Sequence, residues 1–358
     1  MSLQDLGIEH KKLKETLIAS IRCTVKDRKE LQEVYQKLAQ SVGKENIAGP
    51  AFAVFYLSTG VYGVEGFDVE AGFPVTQSIQ EAEITSKLLP EMEVLSIVHK
   101  GPVENIRENS GKLFGYTNAH GLVSDEFFRE IYLDSNDPVG NEIEVQFCVH
   151  DWNTLLATNV ERVLGAEAKQ RALQGSNALT PESTLEERNQ WVRGAIEQLE
   201  SVADEHQRYD ILSSCAHIFP DVLLEKVKAV YEEAREQTGD PMKAIDAVIA
   251  FMDEHPAWPD TPERKGHIIY TTKSPARREA YEQATTDAEK RKAHCYCPII
   301  RNHLETNFPV TFCYCGAGWY RQQWEGAIGK AVPKIELLQC AANNDDGCQF
   351  AIHLPEDL

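Results

Sequence analysis

The 358-residue sequence contains no run of 18 apolar residues, so no segment reads as a membrane span. Its first residues, MSLQDLGIEHKKLK, lack the apolar core of a signal peptide, and a cytoplasmic location is the expectation. Basic charge is scarce: 36 Lys and Arg stand against 56 Asp and Glu, a net charge of −20. The deficit is spread evenly, with 14 basic and 24 acidic residues in 1–155 and 22 and 32 in the remainder. Neither half offers the basic face that phosphate contacts require, and no stretch reads as a helix-turn-helix. Direct nucleic-acid binding is therefore not expected. In a chain without an export signal, disulfides are also a poor expectation for the nine cysteines.

What is present begins with a repeat. Ser20-Ile21 stands to Ser96-Ile97 as Phe52 to Phe128 and Tyr56 to Tyr132, always 76 residues apart. Similarity at a fixed offset suggests a duplicated unit. In the first copy, LIASIRCTV reads as a strand. Asp27 and Glu30 have capping-box spacing, and Leu31, Val34, Tyr35, Leu38 and Val42 keep helical period. AFAVFYL is a strand, Gly60 to Gly66 a turn, and Val64 to Val69 a half-buried strand. In the second copy, Glu93 to Val98 is a strand that Gly101-Pro102 breaks, starting a helix over Val103 to Thr117. Phe127 to Leu133 and Ile143 to Val149 are strands, with a loop from Asp134 to Gly140 between them. The expected fold class is α+β: a pseudo-symmetric pair of strand-helix-strand-strand modules, then a helical segment and a cysteine-rich α+β domain. The expected domains are 1–155, a linker helix and loop over 156–183, and 184–358.

Strand alternation places Glu144, Gln146 and Cys148 on one face, and Glu130 with Tyr132 on one face. Tyr56 is the repeat mate of Tyr132. A carboxylate framed by aromatic rings suits a cationic or polarised ligand. The competing reading is that Glu144 is a solvated strand residue and the tyrosines simply pack. His99, before Gly101-Pro102, reads either as a turn or pocket-wall residue or as a ligand contact.

LLP before the second-repeat strand, then HKGP, EIYL and EVQFCV follow one another in a fixed order. By these signs residues 8–150 resemble the GyrI-like effector-binding domain attached to AraC- and MerR-class regulators. The resemblance implies two modules around a pocket for small, cationic or aromatic, amphipathic molecules. It also implies that an acidic residue on the last strand, here Glu144, meets the ligand. Where that family has a proline in the last strand this chain has Cys148, which bears on local strand shape.

Six of the nine cysteines fall within 295–348, in AHCYCPIIR, FCYCGAGWY and the closing NNDDGCQFAIHL. Cys-x-Cys on an extended chain points both sulfurs one way. Cys295, Cys297, Cys313 and Cys315 could thus meet as four thiolates around Zn²⁺, with His294 or Cys215 as substitutes. The alternatives are small buried core residues, reactive pocket thiols if nearby cations lower their pKa, and redox-reversible pairs. Arg301 is the candidate cation for the first pair and Glu325 a candidate carboxylate near the second. Residues from about 205 onward resemble 4-vinyl-reductase-type and 2-amino-thiazoline-carboxylate hydrolase-like proteins, through CYCP, FCYCGAGWY and DDGCQFAIHL.

The expected function is a cytoplasmic small-molecule (effector) binding protein. Its ligand is hydrophobic, aromatic or cationic and meets Tyr56, Glu130, Tyr132, Glu144 and His99. No membrane partner is expected. A homodimer or a separate regulator protein is the candidate macromolecular partner. The alternative is a hydrolase of electrophilic small molecules, as the resemblance implies for some free-standing members. There Glu144 would be the general base, and Tyr132 or Tyr56 would orient or protonate the leaving atom.

Overall fold

The computed structural model describes residues 2–358 except 57–65, 135–141, 151, 175–178, 218, 256–257 and 305–307, and only the backbone of 124–126, 222 and 261. Most of the expected turn over Gly60 to Gly66, most of the 134–140 loop and the Gly175-Ser176-Asn177 part of the linker lie outside the described residues. The chain divides into two compact units, Met1–Asn118 with Leu122–His150, and Ala119–Gly121 with Asp151–Leu358.

The first unit opens with a short helix α1 (Leu3–Leu6) and an edge strand β1 (Glu9–Leu13). There follow β2 (Thr16–Val25), α2 (Glu30–Val42), β3 (Phe52–Tyr56), β4 (Phe67–Pro74) and β5 (Thr85–Leu89). Then come β6 (Met92–Lys100), α3 (Ile106–His120), β7 (Val123–Tyr132) and β8 (Glu142–His150). The strands form one curled antiparallel sheet in the order β1-β6-β8-β7-β3-β4-β2-β5. It is a mixed α/β fold in which β3 and β7 meet at the centre.

Local chemistry explains the start of α2. Asp27 accepts the Lys29 amide at 2.8 Å, and Glu30 reaches back to the Lys26 amide at 2.8 Å. The pair anticipated as a capping box therefore closes a turn just ahead of the helix, which begins at Glu30. Leu31, Tyr35, Leu38 and Val42 line its buried face at helical spacing. They pack on Ala53, Phe55, Val69 and Ala71 of the sheet, in one core with Leu95, Ile97, Val145 and Phe147. The other, helix-free face buries a second cluster of Ile18, Phe52 and Val54, flanked by Tyr56, Leu89, Phe127 and Ile131.

Register corrects the 76-residue bookkeeping. Laterally paired residues point to the same side of a sheet. Phe52 pairs with Ile131, Val54 with Arg129 and Tyr56 with Phe127. Tyr132 pairs with Ile143, whose side chain lies in the helix-side core. Tyr56 and Tyr132 thus point to opposite faces, as do Phe52 and Phe128. A shift of one residue is enough to exchange faces. Ser20 and Ser96 do share the helix-free face, through the pairings that run from β2 across to β6.

In the second unit come α4 (Trp152–Leu164), α5 (Ala166–Ala172), α6 (Leu185–Val202), α7 (Glu205–Ser213), α8 (Asp221–Thr238) and α9 (Pro241–Glu254). They are followed by β9 (Thr261–Lys265), β10 (Ile268–Thr272), α10 (Arg278–Gln283), α11 (Asp287–His294) and α12 (Pro298–Arg301). The chain finishes with α13 (Tyr314–Ile328), β11 (Lys334–Gln339) and β12 (Gln349–His353). The helices α4 and α5, expected as linker, belong to this unit and bury Trp152, Leu156, Val160 and Ala168. Four antiparallel strands pair in the order β11-β12-β10-β9. Sequence pattern missed β9, because Pro262 argues against a strand. It is an edge strand, where a proline costs least. No helix among the described residues is long and apolar enough to cross a membrane.

Gly72 on β4 marks a close approach. A Cβ there would lie 2.7 Å from the Ala19 carbonyl oxygen and 2.7 Å from the Phe52 ring. Gly72→Val is expected to destabilise the protein by about 1–3 kcal/mol through overpacking, read as a lower urea midpoint. An unchanged midpoint would contradict the packing described here.

Candidate functional site

The helix-free face of the first sheet concentrates polar groups on an apolar floor. Strand alternation brings Glu144 and Gln146 of β8 to this face, beside Ile131 and Arg129 of β7. Val54 and Phe52 of β3 continue the two rows, and Glu70 and Gly72 of β4 extend them. Tyr56 stands on the same face, opposite Asp68.

Two buried carboxylates flank the floor. Glu144 is 9% exposed. Its Oε1 accepts from Lys11 Nζ at 2.9 Å and from Gln146 Nε2 at 3.2 Å. Burial alone would raise its pKa, but hydrogen bonds from Lys11, Gln146 and Ser96 hold the carboxyl below its ordinary value. Glu70 is built alike. It accepts from Ser20 Oγ at 2.6 Å, from the Tyr56 hydroxyl at 2.9 Å and from Lys87 Nζ at 2.7 Å. Burial opposes ionisation there too, and Lys87, Ser20 and Tyr56 outweigh it and keep the pKa low. Both lysines sit on edge strands. Lys11 of β1 stands opposite Val94, and Lys87 of β5 opposite Ile18. Residue patterning alone did not single out Glu70. Its signal was an acidic residue alternating with apolar ones in VEGFDVEAGF.

The remaining candidates lie on the other face. Glu130 is fully buried. It accepts Arg28 Nε at 3.0 Å and Nη2 at 2.5 Å, and the Tyr132 hydroxyl at 3.0 Å. The Tyr132 ring meets Tyr35 of α2 edge-on at 5.7 Å. This triad fastens α2 and the turn before it to the sheet. Tyr132 is thus separated from Glu144 by the thickness of the sheet and cannot serve one reaction with it. A general base also wants a raised pKa, and that of Glu144 is lowered. His99 is buried on the helix side. Its Nε2 lies 2.9 Å from the Pro102 carbonyl, and Asn109 Nδ2 lies 3.3 Å from its Nδ1, so the ring braces the turn into α3. Of the five expected ligand contacts, the structure places Tyr56 and Glu144 on one face, two strands apart and in rows four residues apart, and Glu130, Tyr132 and His99 on the other.

Residues 8–147 match the GyrI-like small molecule binding domain. Among solved structures the chain is similar to EcmrR in a cryo-EM complex with DNA, at 24% identity and a TM-score of 0.36. That match covers 40% of this chain and 57% of the other, so the chain spans little more than half the length of EcmrR. It is similar to a hydrolase from Listeria innocua at 12% identity, covering 40% of this chain and 91% of that one, with a TM-score of 0.31. It is also similar to SAV2435 bound to tetraphenylphosphonium, at 11% identity, 41% and 96% coverage and a TM-score of 0.28. Comparison with curated proteins gives no match.

Beyond the GyrI-like domain, the cysteines of the second unit are paired differently from expectation. Cys295 ends α11 and Cys297 caps α12, both with extended backbone. Cys313 closes a 3₁₀ turn, Val310–Cys313, and Cys315 lies in the first turn of α13. Two residues apart on a helix diverge by about 200°, so this second pair does not aim its sulfurs together. Cys313 instead faces Cys340, with 3.0 Å between the sulfurs. Cys340 also meets Cys348, whose amide donates to His294 Nε2 at 3.0 Å. Cys315 donates to the Cys215 carbonyl at 3.2 Å. Among the described residues no group of three or more His, Cys, Asp or Glu is placed to hold a metal ion.

Nor are these thiols activated. Arg301 spends its donors on the carbonyls of Cys295 and Tyr296, at 2.8 and 2.7 Å. Glu325 pairs with Arg321 at 3.1 Å and accepts the Val332 amide. Burial pushes the Cys295 and Cys297 thiols up to about 12 and Cys315 up to about 11. Cys348 reaches about 12 through its contact with Cys340 and then burial.

Two outcomes are expected. Arg28→Met leaves the Glu130 carboxylate buried without its cation and lowers stability by about 3–5 kcal/mol, read by urea denaturation. A loss under about 1 kcal/mol would mean the pair is not buried as described. Iodoacetamide at pH 7.5 is expected to label Cys295, Cys297, Cys315 and Cys348 in the native protein far more slowly than in urea. The native rates should climb with pH toward 11 and 12, because only the thiolate reacts. Fast labelling at pH 7.5 would overturn the assignment of inert thiols.

Proposed function

We propose that the GyrI-like domain binds a small aromatic, amphipathic molecule on the helix-free face of its sheet, and that Glu144 meets a cationic or N–H group of that molecule. The observation that carries this is a buried carboxylate beside the apolar floor of Phe52, Val54, Phe127 and Ile131. A buried charge next to apolar area is the arrangement small-molecule sites use to combine affinity with orientation. Tyr56 supplies an aromatic wall, with Arg22 4.1 Å from its ring centre.

In this proposal the domain is a duplicated unit whose two halves each carry a serine, a glutamate and an edge-strand lysine. Ser20, Glu70 and Lys87 answer to Ser96, Glu144 and Lys11. The lysines act as resident counter-ions that a ligand cation displaces. The role is that of an effector-binding module, a stand-alone sensor or the partner of a separate regulator protein. A hydrolase mechanism with Glu144 as base is not carried forward: Tyr132 lies on the opposite face, Tyr56 is bonded to Glu70, and a lowered pKa makes Glu144 a weak base.

The test is calorimetric titration with biphenyl-4-ylmethylammonium. Glu144→Gln keeps the shape and removes the charge, and is expected to weaken binding by about tenfold or more, the worth of one charge-assisted hydrogen bond. Equal affinities for the two proteins would remove Glu144 from the recognition of the ligand.

A further inference from the structure

On the helix-free face Glu70 and Glu144 each pair with a lysine, whereas among the described residues the guanidinium in the middle makes no ion pair and feels Glu144 only at longer range. Arg129 stands between Val54 of β3 and Gln146 of β8 in one lateral row. Its guanidinium carbon lies 5.6 Å from the centre of the Phe52 ring. Among the described residues its side chain has one hydrogen-bond acceptor, the Met92 thioether, 3.7 Å from Nη1. Its Nε is buried and has no partner. A thioether is a weak acceptor, whereas a guanidinium presents five donors in a fixed fork. Burial pushes the guanidinium's pKa down, and the nearby Cys148 and Glu144 only partly offset this.

A second unmet group lies alongside. Gln146 is 4% exposed, and its Oε1 has no hydrogen-bond partner. Its Nε2 is held by Glu144, which leaves Oε1 as the amide atom that could accept from Arg129, and the two are not bonded in this structure. An orphan donor and an orphan acceptor are thus neighbours on adjacent strands. Each destabilises the fold if nothing else meets it. One neutral amide oxygen would in any case leave most of the five guanidinium donors unmet, whereas a molecule with both an anionic oxygen and an N–H would satisfy Arg129 and Gln146 together.

We infer that Arg129 is an anion-recognition residue of this face, and that the bound molecule is an aromatic compound carrying a carboxylate beside its donor group. The inference rests on the proposed ligand-binding face and specifies what the ligand must carry. The carboxylate oxygens take the Arg129 donors, which favour planar two-oxygen acceptors. The N–H faces Gln146 Oε1 and Glu144. The aromatic body lies on Phe52, Ile131 and Val54. No covalent step is involved.

The experiment titrates the full-length protein with N-(biphenyl-4-yl)glycine, a carboxylate with an N–H, and with its carboxamide, matched in shape and in that N–H and differing in charge. The wild type is expected to bind the carboxylate about tenfold more tightly than the amide. Arg129→Gln is expected to abolish that preference while leaving the carboxamide affinity within about twofold. Arg129→Lys keeps the charge without the fork and should fall between the two. If both compounds bind and Arg129→Gln leaves their ratio unchanged, the anion role of Arg129 fails and the ligand-binding face stands. If neither binds while biphenyl-4-ylmethylammonium does, the inference falls and the face stands; if none of the three binds, the face itself is misassigned and the inference falls with it. Should Arg129→Gln not fold, the wild-type preference decides: equal affinities for the two compounds overturn the inference.

Discussion

Burying a carboxylate in a protein interior costs several kcal/mol unless a cation and further donors meet it. The first unit buries three of them among its described residues, Glu70, Glu130 and Glu144. Each is met by a cation drawn from a neighbouring element rather than from its own strand. Arg28, from the turn before α2, serves Glu130, while Lys87 of β5 and Lys11 of β1 serve Glu70 and Glu144. The requirement ties the periphery to the centre. The helix-side ion pair fixes where α2 enters, and the two lysines pin the edge strands at either end of the sheet order. The hydroxyls of Tyr132, Ser20 and Tyr56 take up the remaining acceptor capacity on Glu130 and Glu70.

The same requirement separates structural acids from a candidate recognition acid. Glu130 has a rigid two-point partner, is wholly buried and is covered by the core under α2. Replacing Arg28 by anything smaller opens a charge in that core. The counter-ions of Glu144 and Glu70 are flexible single-point lysines with about 36% and 42% of their side chains exposed. A lysine held this way can withdraw into water at small cost. That difference in how the charge is neutralised, more than the presence of charge, makes the helix-free face the one that can exchange partners.

Much of this was readable from the chain because it depends on alternation. Placing Glu144, Gln146 and Cys148 on one side of β8 needs only the two-residue period of a strand. The helix face of Leu31, Tyr35, Leu38 and Val42 needs only its own period. What alternation does not give is the register between strands. The 76-residue spacing aligns Ser20 with Ser96 correctly, yet at the centre of the sheet it is one residue out, and that slip carries Tyr132 to the opposite face from Tyr56. Glu70 was overlooked for a related reason, since its importance lies in Lys87 and Ser20, which come from two other strands. The cysteines show the limit most plainly. Cys-x-Cys spacing suggests convergence only on an extended backbone, and Cys313 and Cys315 sit where a 3₁₀ turn passes into a helix. Their partners, Cys340 and Cys215, are 27 and 100 residues away in sequence.

Arg129 brings these strands of reasoning to one point. A sheet that finds a partner for each of its buried acids leaves a half-buried guanidinium with only a thioether and an aromatic ring. If the face were purely structural, an apolar residue at 129 would pack beside Phe52 without any desolvation cost. Two unmet polar groups on adjacent strands are costly to the folded domain in isolation. They cease to be costly when a third party supplies an oxygen anion and a donor. Residues that burden the empty domain and favour the filled one are the ordinary signature of a site arranged around something other than the chain itself.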